Sequence, residues 1–384
     1  MKFKLDVIGQ YYSSINNSKQ SGVFAIIVHL KEPIKTEILQ QAANDIFKKS
    51  PFMNGRLKAG FFDYYFQTTD ELSDIMPDKD EPLFDDYYNK GTRHMIRVFY
   101  GKKHFTVKTT HTICDGRGLS KFTTVLIIQY FQLLGLKFEK DDINFCEEDA
   151  IKKYAILPDG YMKKPDIPTK VYRIKFKNLP NKSIISKTFS ASKIKAAAKV
   201  YDLTIGEYIL TNIFFAIKKE RDKGQIIASI PIDCRSFFPS KTLRSFVAAA
   251  KIYMPEYDDF SEMAKRIKAQ FKDITQEYIH KQLYEHQSMY DSARFVPRII
   301  KKPFMKLMAK WESETVTTGI SNLGVIKLPR EIEEQIKNLE FPIALENGYS
   351  HFFSCVTIGD ALTINAAFLE EARTIVEDVL EKLV

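Results

Sequence analysis

Apolar positions along the chain follow two spacings, one typical of helices and one typical of strands. They predict helices over 36–49, 117–135, 192–200, 204–220, 259–285, 296–310 and 370–383. Runs rich in β-branched and aromatic residues predict strands within 55–67 and over 94–101, 104–110, 225–233, 246–254, 315–321, 350–358 and 361–368. Helices and strands interleave without a regular βαβ repeat. The order therefore predicts an α/β protein with mixed sheets.

The periodic pattern weakens between residues 139 and 183. Acidic residues cluster over 139–149, and several prolines then interrupt any helical spacing. A chain of 384 residues is long enough for two hydrophobic cores. The sequence therefore predicts two domains, residues 1–150 and 185–384, joined by an interdomain connection over 151–184.

Composition and charge narrow the class of protein. Apolar residues make up 45% and charged residues 27% of the chain, which is typical of a globular protein. The net charge of +9 favours either an anionic partner (nucleic acid, anionic lipid, an acidic protein or a phosphorylated ligand) or only a soluble surface. Lysines are spread along the whole chain, and no nucleic-acid-binding motif is present, so we expect no nucleic-acid partner.

Cysteine spacing and the apolar runs bear on metal sites and location. The four cysteines lie far apart and form no C-x-x-C pair, so no zinc or redox motif is expected. The first residues lack the apolar core of a signal peptide. The most apolar run, 125–136, is too short to span a bilayer. These features predict a reduced, cytoplasmic protein without a membrane span or a metal.

The segment from Thr110 to Gly116 combines the residue types needed for base catalysis. A β-rich run ends at His111, and a helix begins a few residues later. A histidine at a strand end is held rigidly, and its near-neutral pKa lets the imidazole accept a proton from an alcohol or amine. Asp115 is placed to brace the turn, and Gly116 to allow a backbone conformation that other residues resist. No G-x-S-x-G is present, so an α/β-hydrolase is not indicated.

The spacing His111-x-x-x-Asp115-Gly116 resembles the HxxxD(G) signature of the superfamily that includes chloramphenicol acetyltransferase, BAHD acyltransferases, condensation domains and alcohol acetyltransferases. Further segments are similar to the bacterial alcohol-acetyltransferase-like branch, in the expected order along most of the chain. They are Ser50–Tyr65, Pro231–Phe246 and Ser321–Gly324.

The resemblance implies a fold and a set of site residues. The fold is two chloramphenicol-acetyltransferase-like domains, each a mixed sheet flanked by helices, with a tunnel between them and His111 midway along it. Asp115 would turn away from the substrate and pair with Arg235, with Arg244 as the rival partner. Ser321 or Asn322 would stabilise the oxyanion of the tetrahedral intermediate.

The implied reaction moves an acyl group from acyl-CoA to an alcohol or amine, with His111 as general base and no permanently bound cofactor. Two other functions stay open: a condensation-like enzyme whose donor sits on an acidic acyl carrier protein, and an inactive binding protein of the same fold. Thr110 stands where condensation domains usually carry a second histidine, and the D-F-G-W-G motif of BAHD enzymes is absent. A monomer is adequate, because one chain supplies both domains.

Overall fold

A computed structural model describes residues 1–16, 21–78, 94–139, 146–161, 170–174, 182–220, 223–256, 259–346 and 348–383. The helices are Val7–Ile15 (α1), Thr36–Lys49 (α2), Gly116–Leu133 (α3), Ala150–Tyr154 (α4), Ala191–Val200 (α5), Ile205–Glu220 (α6), Phe260–Lys272 (α7), Gln276–Ser292 (α8), Arg298–Ser313 (α9), Arg330–Glu333 (α10) and Arg373–Lys382 (α11). The strands are Lys2–Lys4 (β1), Val23–Leu30 (β2), Gly55–Ala59 (β3), Tyr64–Thr68 (β4), Met76–Pro77 (β5), Arg97–Tyr100 (β6), His104–Thr110 (β7), Lys182–Ser190 (β8), Ile227–Asp233 (β9), Val247–Tyr253 (β10), Thr318–Val325 (β11), Ile336–Glu340 (β12), His351–Ile358 (β13) and Ala361–Leu369 (β14).

A five-stranded sheet carries the end of strand β7. Its strand order is β12-β2-β7-β6-β5, and only the β5–β6 pair is parallel. Strand β7 is nearly continuously buried because it lies in the middle of this sheet. Its last residue, Thr110, pairs with Val23 at the start of β2. The residue that follows β7 therefore leaves the sheet from its centre, next to the start of β2.

A six-stranded sheet is formed by the second half of the chain, in the order β10-β9-β11-β13-β14-β8. Strand β11 pairs in parallel with both β9 and β13, and the other pairs are antiparallel. A small antiparallel sheet, β1-β4-β3, completes the strands. Two mixed sheets flanked by helices confirm the predicted α/β fold class.

The two large hydrophobic cores are built from different parts of the chain. The first lies between the five-stranded sheet and helices α2 and α3, and the second between the six-stranded sheet and helices α6, α7 and α11. The first core also takes side chains from the second half of the chain, among them Leu243, Leu323 and Phe341. The edge strand β12 comes from that half as well, so the two parts of the molecule are interleaved.

The predicted helix over 259–285 is wrong as a single element. The structure has two helices there, because the chain leaves helical geometry after Lys272 and Thr275 starts a new helix. The side chain of Thr275 accepts a hydrogen bond from the backbone N–H of Tyr278 and so caps α8. The late strand also lies further along than predicted, at Thr318–Val325.

The predicted interdomain connection is described only in part, and the boundaries at 150 and 185 stay predictions. Residues 162–169 and 175–181 of this segment lie outside the described residues. Within it, α4 packs against α8, and β8 begins at Lys182 as an edge strand of the six-stranded sheet. Among the described residues no single helix is long and apolar enough to cross a membrane; only the pair α5 and α6, bent by 73°, passes that test together.

Candidate functional site

The backbone of His111 is fixed by the neighbouring strand and by the turn that follows it. Its N–H donates to the carbonyl oxygen of Gly22 at 3.0 Å, and the N–H of Ile113 donates to the carbonyl of Thr110 at 3.1 Å. Gly22 has a φ of 59°, a conformation that glycine adopts readily. A Cβ there would lie 2.6 Å from the ring of Tyr12. The end of β7 therefore holds His111 in one position.

The imidazole of His111 lies deep in the protein against two aromatic rings. The ring of Tyr12 stacks on it at 4.8 Å, and the ring of Phe24 lies 4.5 Å away at 38°. Burial lowers the pKa of His111 to about 4, while the Asp115 carboxylate and the backbone of Cys114 act in the opposite direction. The ring is therefore neutral at physiological pH, which is the form that can accept a proton. Nδ1 is buried within the protein, yet part of the residue stays accessible.

Asp115 starts helix α3 and turns into the protein. Its Oδ1 accepts the N–H of Gly118 at 2.7 Å, which caps the helix. Its Oδ2 accepts the N–H of Phe246 at 2.7 Å and contacts Nη1 of Arg235 at 2.9 Å. Burial by itself would raise the pKa of the Asp115 carboxyl, but the Arg235 guanidinium and these donors hold it below its usual value. Asp115 is therefore a charged brace of the turn.

Arg235 joins that turn to the second half of the chain. Besides Asp115, its Nη1 contacts Asp233 at 2.9 Å, and its Nη2 donates to the carbonyls of Thr242 at 3.1 Å and Arg244 at 2.7 Å. Arg244, the rival partner considered from the sequence, has a different place. It is buried, contacts Asp6 at 3.4 Å and donates to the carbonyl of Lys4.

Gly116 and Gly118 provide space at the start of α3. Gly116 does not have a positive φ, so the conformational reason expected for it from the sequence is wrong. A Cβ on Gly116 would lie 2.9 Å from the ring of Phe341 and 3.0 Å from Leu323. A Cβ on Gly118 would lie only 2.1 Å from the carbonyl oxygen of Leu243. The helix can approach these neighbours because both residues lack a side chain.

Ser321 and Asn322 lie on opposite faces of β11, because successive side chains of a strand alternate. Ser321 pairs in register with Ser354 of β13, so their side chains share a face. The hydroxyl of Ser354 donates to the carbonyl of Phe341 beside Gly116, so this face looks toward the start of α3. Asn322 lies close to Gly206 at the start of α6, and its Oδ1 accepts the N–H of Gly324 at 2.7 Å. The structure thus separates two residues that the sequence treats as equivalent.

Several polar side chains around Tyr12 were not identified from the sequence. Glu346 Oε1 accepts the N–H of Gly22 at 2.7 Å, and Tyr11 donates its hydroxyl to Glu312 at 3.0 Å. Burial raises the pKa of Tyr12 well above its ordinary value, and the carboxylate of Glu346 adds to this. Charged and phenolic groups therefore lie around Tyr12, whose ring stacks on His111. The sequence of the short segment before β2 contains no motif that would predict that these groups lie near His111.

Other histidines lie in regular elements. His104 and His351 lie in strands, and His280 and His286 lie on α8. Burial lowers the pKa of His351 to about 3 and also lowers that of His286. Within the described part of the chain, no three His, Cys, Asp or Glu side chains converge in a way that would hold a metal ion.

Solved structures share this fold at low sequence identity. Polyketide synthase associated protein 5 from Mycobacterium tuberculosis is 13% identical, with a TM-score of 0.64 over 99% of this chain and 97% of that one. The first condensation domain of the CDA synthetase is 9% identical, with a TM-score of 0.65 over 100% and 95%. TRI101 of F. graminearum, solved with coenzyme A and deoxynivalenol, is 12% identical, with a TM-score of 0.64 over 98% and 97%.

Sequence comparisons alone give no relative: no protein-family model matches, and no curated protein matches at a significant level. The structural likeness extends over nearly the full length of both partners. It confirms the fold implied by the HxxxD(G) resemblance, that of the chloramphenicol-acetyltransferase-like proteins. At these identities it establishes the fold and not the activity.

Proposed function

We propose that this protein transfers an acyl group from a thioester, with acyl-CoA as donor, to a hydroxyl or amine. The observation that carries the proposal is His111: a buried, neutral imidazole held at the end of β7, beside Asp115 that faces away toward Arg235. A neutral imidazole is the form that a general base requires. The fold supports the proposal, since TRI101, which shares it, was solved with coenzyme A.

In the proposed reaction, Nε2 of His111 takes the proton of the acceptor hydroxyl or amine as that atom attacks the thioester carbonyl. The carbonyl oxygen becomes an oxyanion, and Ser321 is the proposed donor to it, because it shares the face of β11 that looks toward Gly116. The carbon–sulfur bond then breaks, and the imidazolium returns its proton to the leaving thiolate. Residues of this one chain supply the base and the oxyanion donor in these steps.

The experiment is an assay of free thiol release from acyl-CoA donors, screened against alcohols and amines. Replacing His111 by Ala should lower turnover by about a hundredfold or more, the usual cost of losing a general base. His104→Ala is the matched control, because His104 lies at the other end of β7 with a partly exposed ring. Near-normal turnover by folded H111A, or no turnover by the wild-type chain with any donor, would contradict the proposal.

A carrier-borne donor is the second candidate function. The fold shared with the first condensation domain of the CDA synthetase favours it, and the net charge of +9 suits an acidic carrier protein. Thr110 occupies the place of the second histidine, and here it is buried and donates its hydroxyl to the carbonyl of Ser21 at 3.2 Å. Acyl transfer from a loaded carrier protein, but not from the same acyl-CoA, would select this candidate.

A further inference from the structure

The outward face of helix α9 is apolar, the reverse of an ordinary surface helix. Its exposed large side chains are 56–77% accessible: Ile299, Ile300, Phe304, Leu307 and Trp311. Ile300, Phe304, Leu307 and Trp311 follow helical spacing and fall on one face, and Ile299 lies at its edge beside the lysines. Ala309 lies on the opposite, inward face and is 3% accessible. A surface helix normally turns such a stripe toward the core.

The apolar surface continues beyond the helix. The turn between β3 and β4 carries Phe61, 72% exposed, and Phe62. The carbonyl of Phe61 accepts the N–H of Arg298 at 2.9 Å, which ties the turn to the start of α9. Phe295, 71% exposed, lies edge-on to Phe62 at 6.4 Å. We call these three phenylalanines and the five exposed side chains of α9 the α9 face.

Basic residues border the α9 face. Lys306 and Lys310 are exposed on the helix beside the apolar stripe, and the guanidinium of Arg294 stacks on Phe295 at 4.6 Å. The whole chain has a net charge of +9. Glu312 lies near the end of the helix, but its carboxylate accepts the hydroxyl of Tyr11 on the side of α1. A patch of projecting aromatic rings with flanking lysines matches an anionic surface that has an apolar interior.

We propose that the α9 face binds the surface of an anionic phospholipid bilayer. A 16-residue helix extends for about 24 Å, enough to lie in the interface with its rings at the level of the acyl chains. The rings project from the surface instead of lining a groove, and a bilayer deforms around projecting side chains. Lysines at the rim meet the lipid phosphates. This inference is independent of the proposed acyl transfer, because it concerns binding alone.

Helix α9 also lies next to the candidate site. It packs along α1, and the bond from Tyr11 to Glu312 joins the two helices one residue away from Tyr12, whose ring stacks on His111. A bilayer held by the α9 face would therefore lie close to the region around His111. The arrangement is suited to exchange of a lipophilic substrate with the membrane.

Trp311 makes the test direct, because it is the only tryptophan of the chain and belongs to the α9 face. The full-length protein is mixed with vesicles that contain phosphatidylglycerol and with vesicles of pure phosphatidylcholine. We expect co-sedimentation with the anionic vesicles, a blue shift of Trp311 emission, and quenching by brominated lipid. Unchanged emission together with no co-sedimentation would overturn the proposal.

Variants separate the apolar from the basic contribution. The double variant Phe304→Ser, Leu307→Ser should bind anionic vesicles about tenfold or more weakly, because it removes two apolar side chains that the bilayer would bury. The double variant Lys306→Glu, Lys310→Glu should weaken binding to anionic vesicles, and the loss should be larger in low salt than in high salt. The matched control, Ile156→Ser with Leu157→Ser, changes two equally exposed apolar residues elsewhere and should bind like the wild type.

Two other occupants of the α9 face would give distinct results. A second copy of the chain would appear as a dimer in light scattering that the Phe304→Ser, Leu307→Ser variant abolishes, without any binding to vesicles. An acidic carrier protein would shift Trp311 emission on its own and leave vesicles unbound. Either outcome replaces the bilayer and overturns the proposal.

Discussion

At the scale of single residues, the site combines one neutral and one charged group at four-residue spacing. His111 is kept neutral by burial against Tyr12 and Phe24. Asp115 is kept charged because Arg235 and two backbone N–H groups compensate its burial. Asp115 therefore cannot relay protons from the ring: its carboxylate is fully engaged on the other side. In the proposed reaction, His111 therefore acts as the base without help from Asp115.

The lowered pKa of His111 predicts an unusual pH profile. Because the free ring titrates at about 4, kcat/KM should stay level below pH 6.5 and fall only as the pH approaches 4. The unfolded chain binds a proton on this residue at a higher pH, near 6.5, so stability should decrease as the pH falls from 6.5 toward 4. The free energy of unfolding must be measured at each pH together with kcat/KM, so that unfolding and protonation of His111 are told apart. An acid limb near 6.5 in the folded protein would contradict this prediction.

The placement of Ser321 and Asn322 predicts different effects of two similar substitutions. Ser321→Ala should lower kcat by about a hundredfold with little effect on KM, because an oxyanion donor acts only near the transition state. Asn322→Ala removes a carboxamide that lies against α6 and should change kcat little. Steady-state kinetics of the two variants make the comparison. Equal losses would show that the segment positions substrate instead.

At the scale of elements, the site depends on how α3 is docked. The start of α3 touches Leu243 from one side and Leu323 and Phe341 from another. Asp115 binds the segment that follows β9 through Arg235 and Phe246. The turn that carries His111 is thus held by the segment between β9 and β10, by β11 and by the residue that follows β12.

The buried pair that holds this turn predicts a clear stability difference. Asp115→Asn removes the charge opposite Arg235, where both side chains are at most 7% exposed, and should cost about 3 kcal/mol of unfolding free energy. Asp233→Asn removes a partner of the same guanidinium at the same 2.9 Å, but Asp233 is 25% exposed, so the loss should be below about 1 kcal/mol. Urea unfolding of the two variants measures both losses of unfolding free energy. Equal losses would mean that burial does not determine how much an ion pair with Arg235 stabilises the protein.

How far the sequence predicts these elements depends on how local their causes are. Strand β7, helix α3 and the turn between them follow from local patterning, and the motif resemblance led to Arg235. Helix α1 was missed because buried Gln10, Ser13 and Ser14 hide its periodicity. The break before Thr275 was missed because no glycine or proline marks it. The opposite orientations of Ser321 and Asn322 depend on which core each face of β11 meets, which no local pattern contains.

At the scale of the whole molecule, the two halves of the chain complete each other. Strand β12 pairs antiparallel with β2, about three hundred residues earlier in the sequence, and forms an edge of the five-stranded sheet. Phe341, just after β12, packs against Phe24 at 6.2 Å and beside Gly116. The surroundings of His111 therefore exist only when both halves are folded together.

This interleaving predicts the behaviour of a cut chain. A protease site inserted between Asp159 and Gly160, both exposed, should be cleaved without loss of structure, because a Cβ on Gly160 would meet nothing within 4 Å. The fragments 1–159 and 160–384 should stay together in size-exclusion chromatography and separate only in denaturant. The first fragment expressed alone should lack cooperative unfolding, because it has neither β12 nor the side chains of Leu243, Leu323 and Phe341 that complete its core. A stably folded isolated fragment 1–159 would show instead that its sheet tolerates an open edge at β2, and that the second half adds to the site without being needed for the fold.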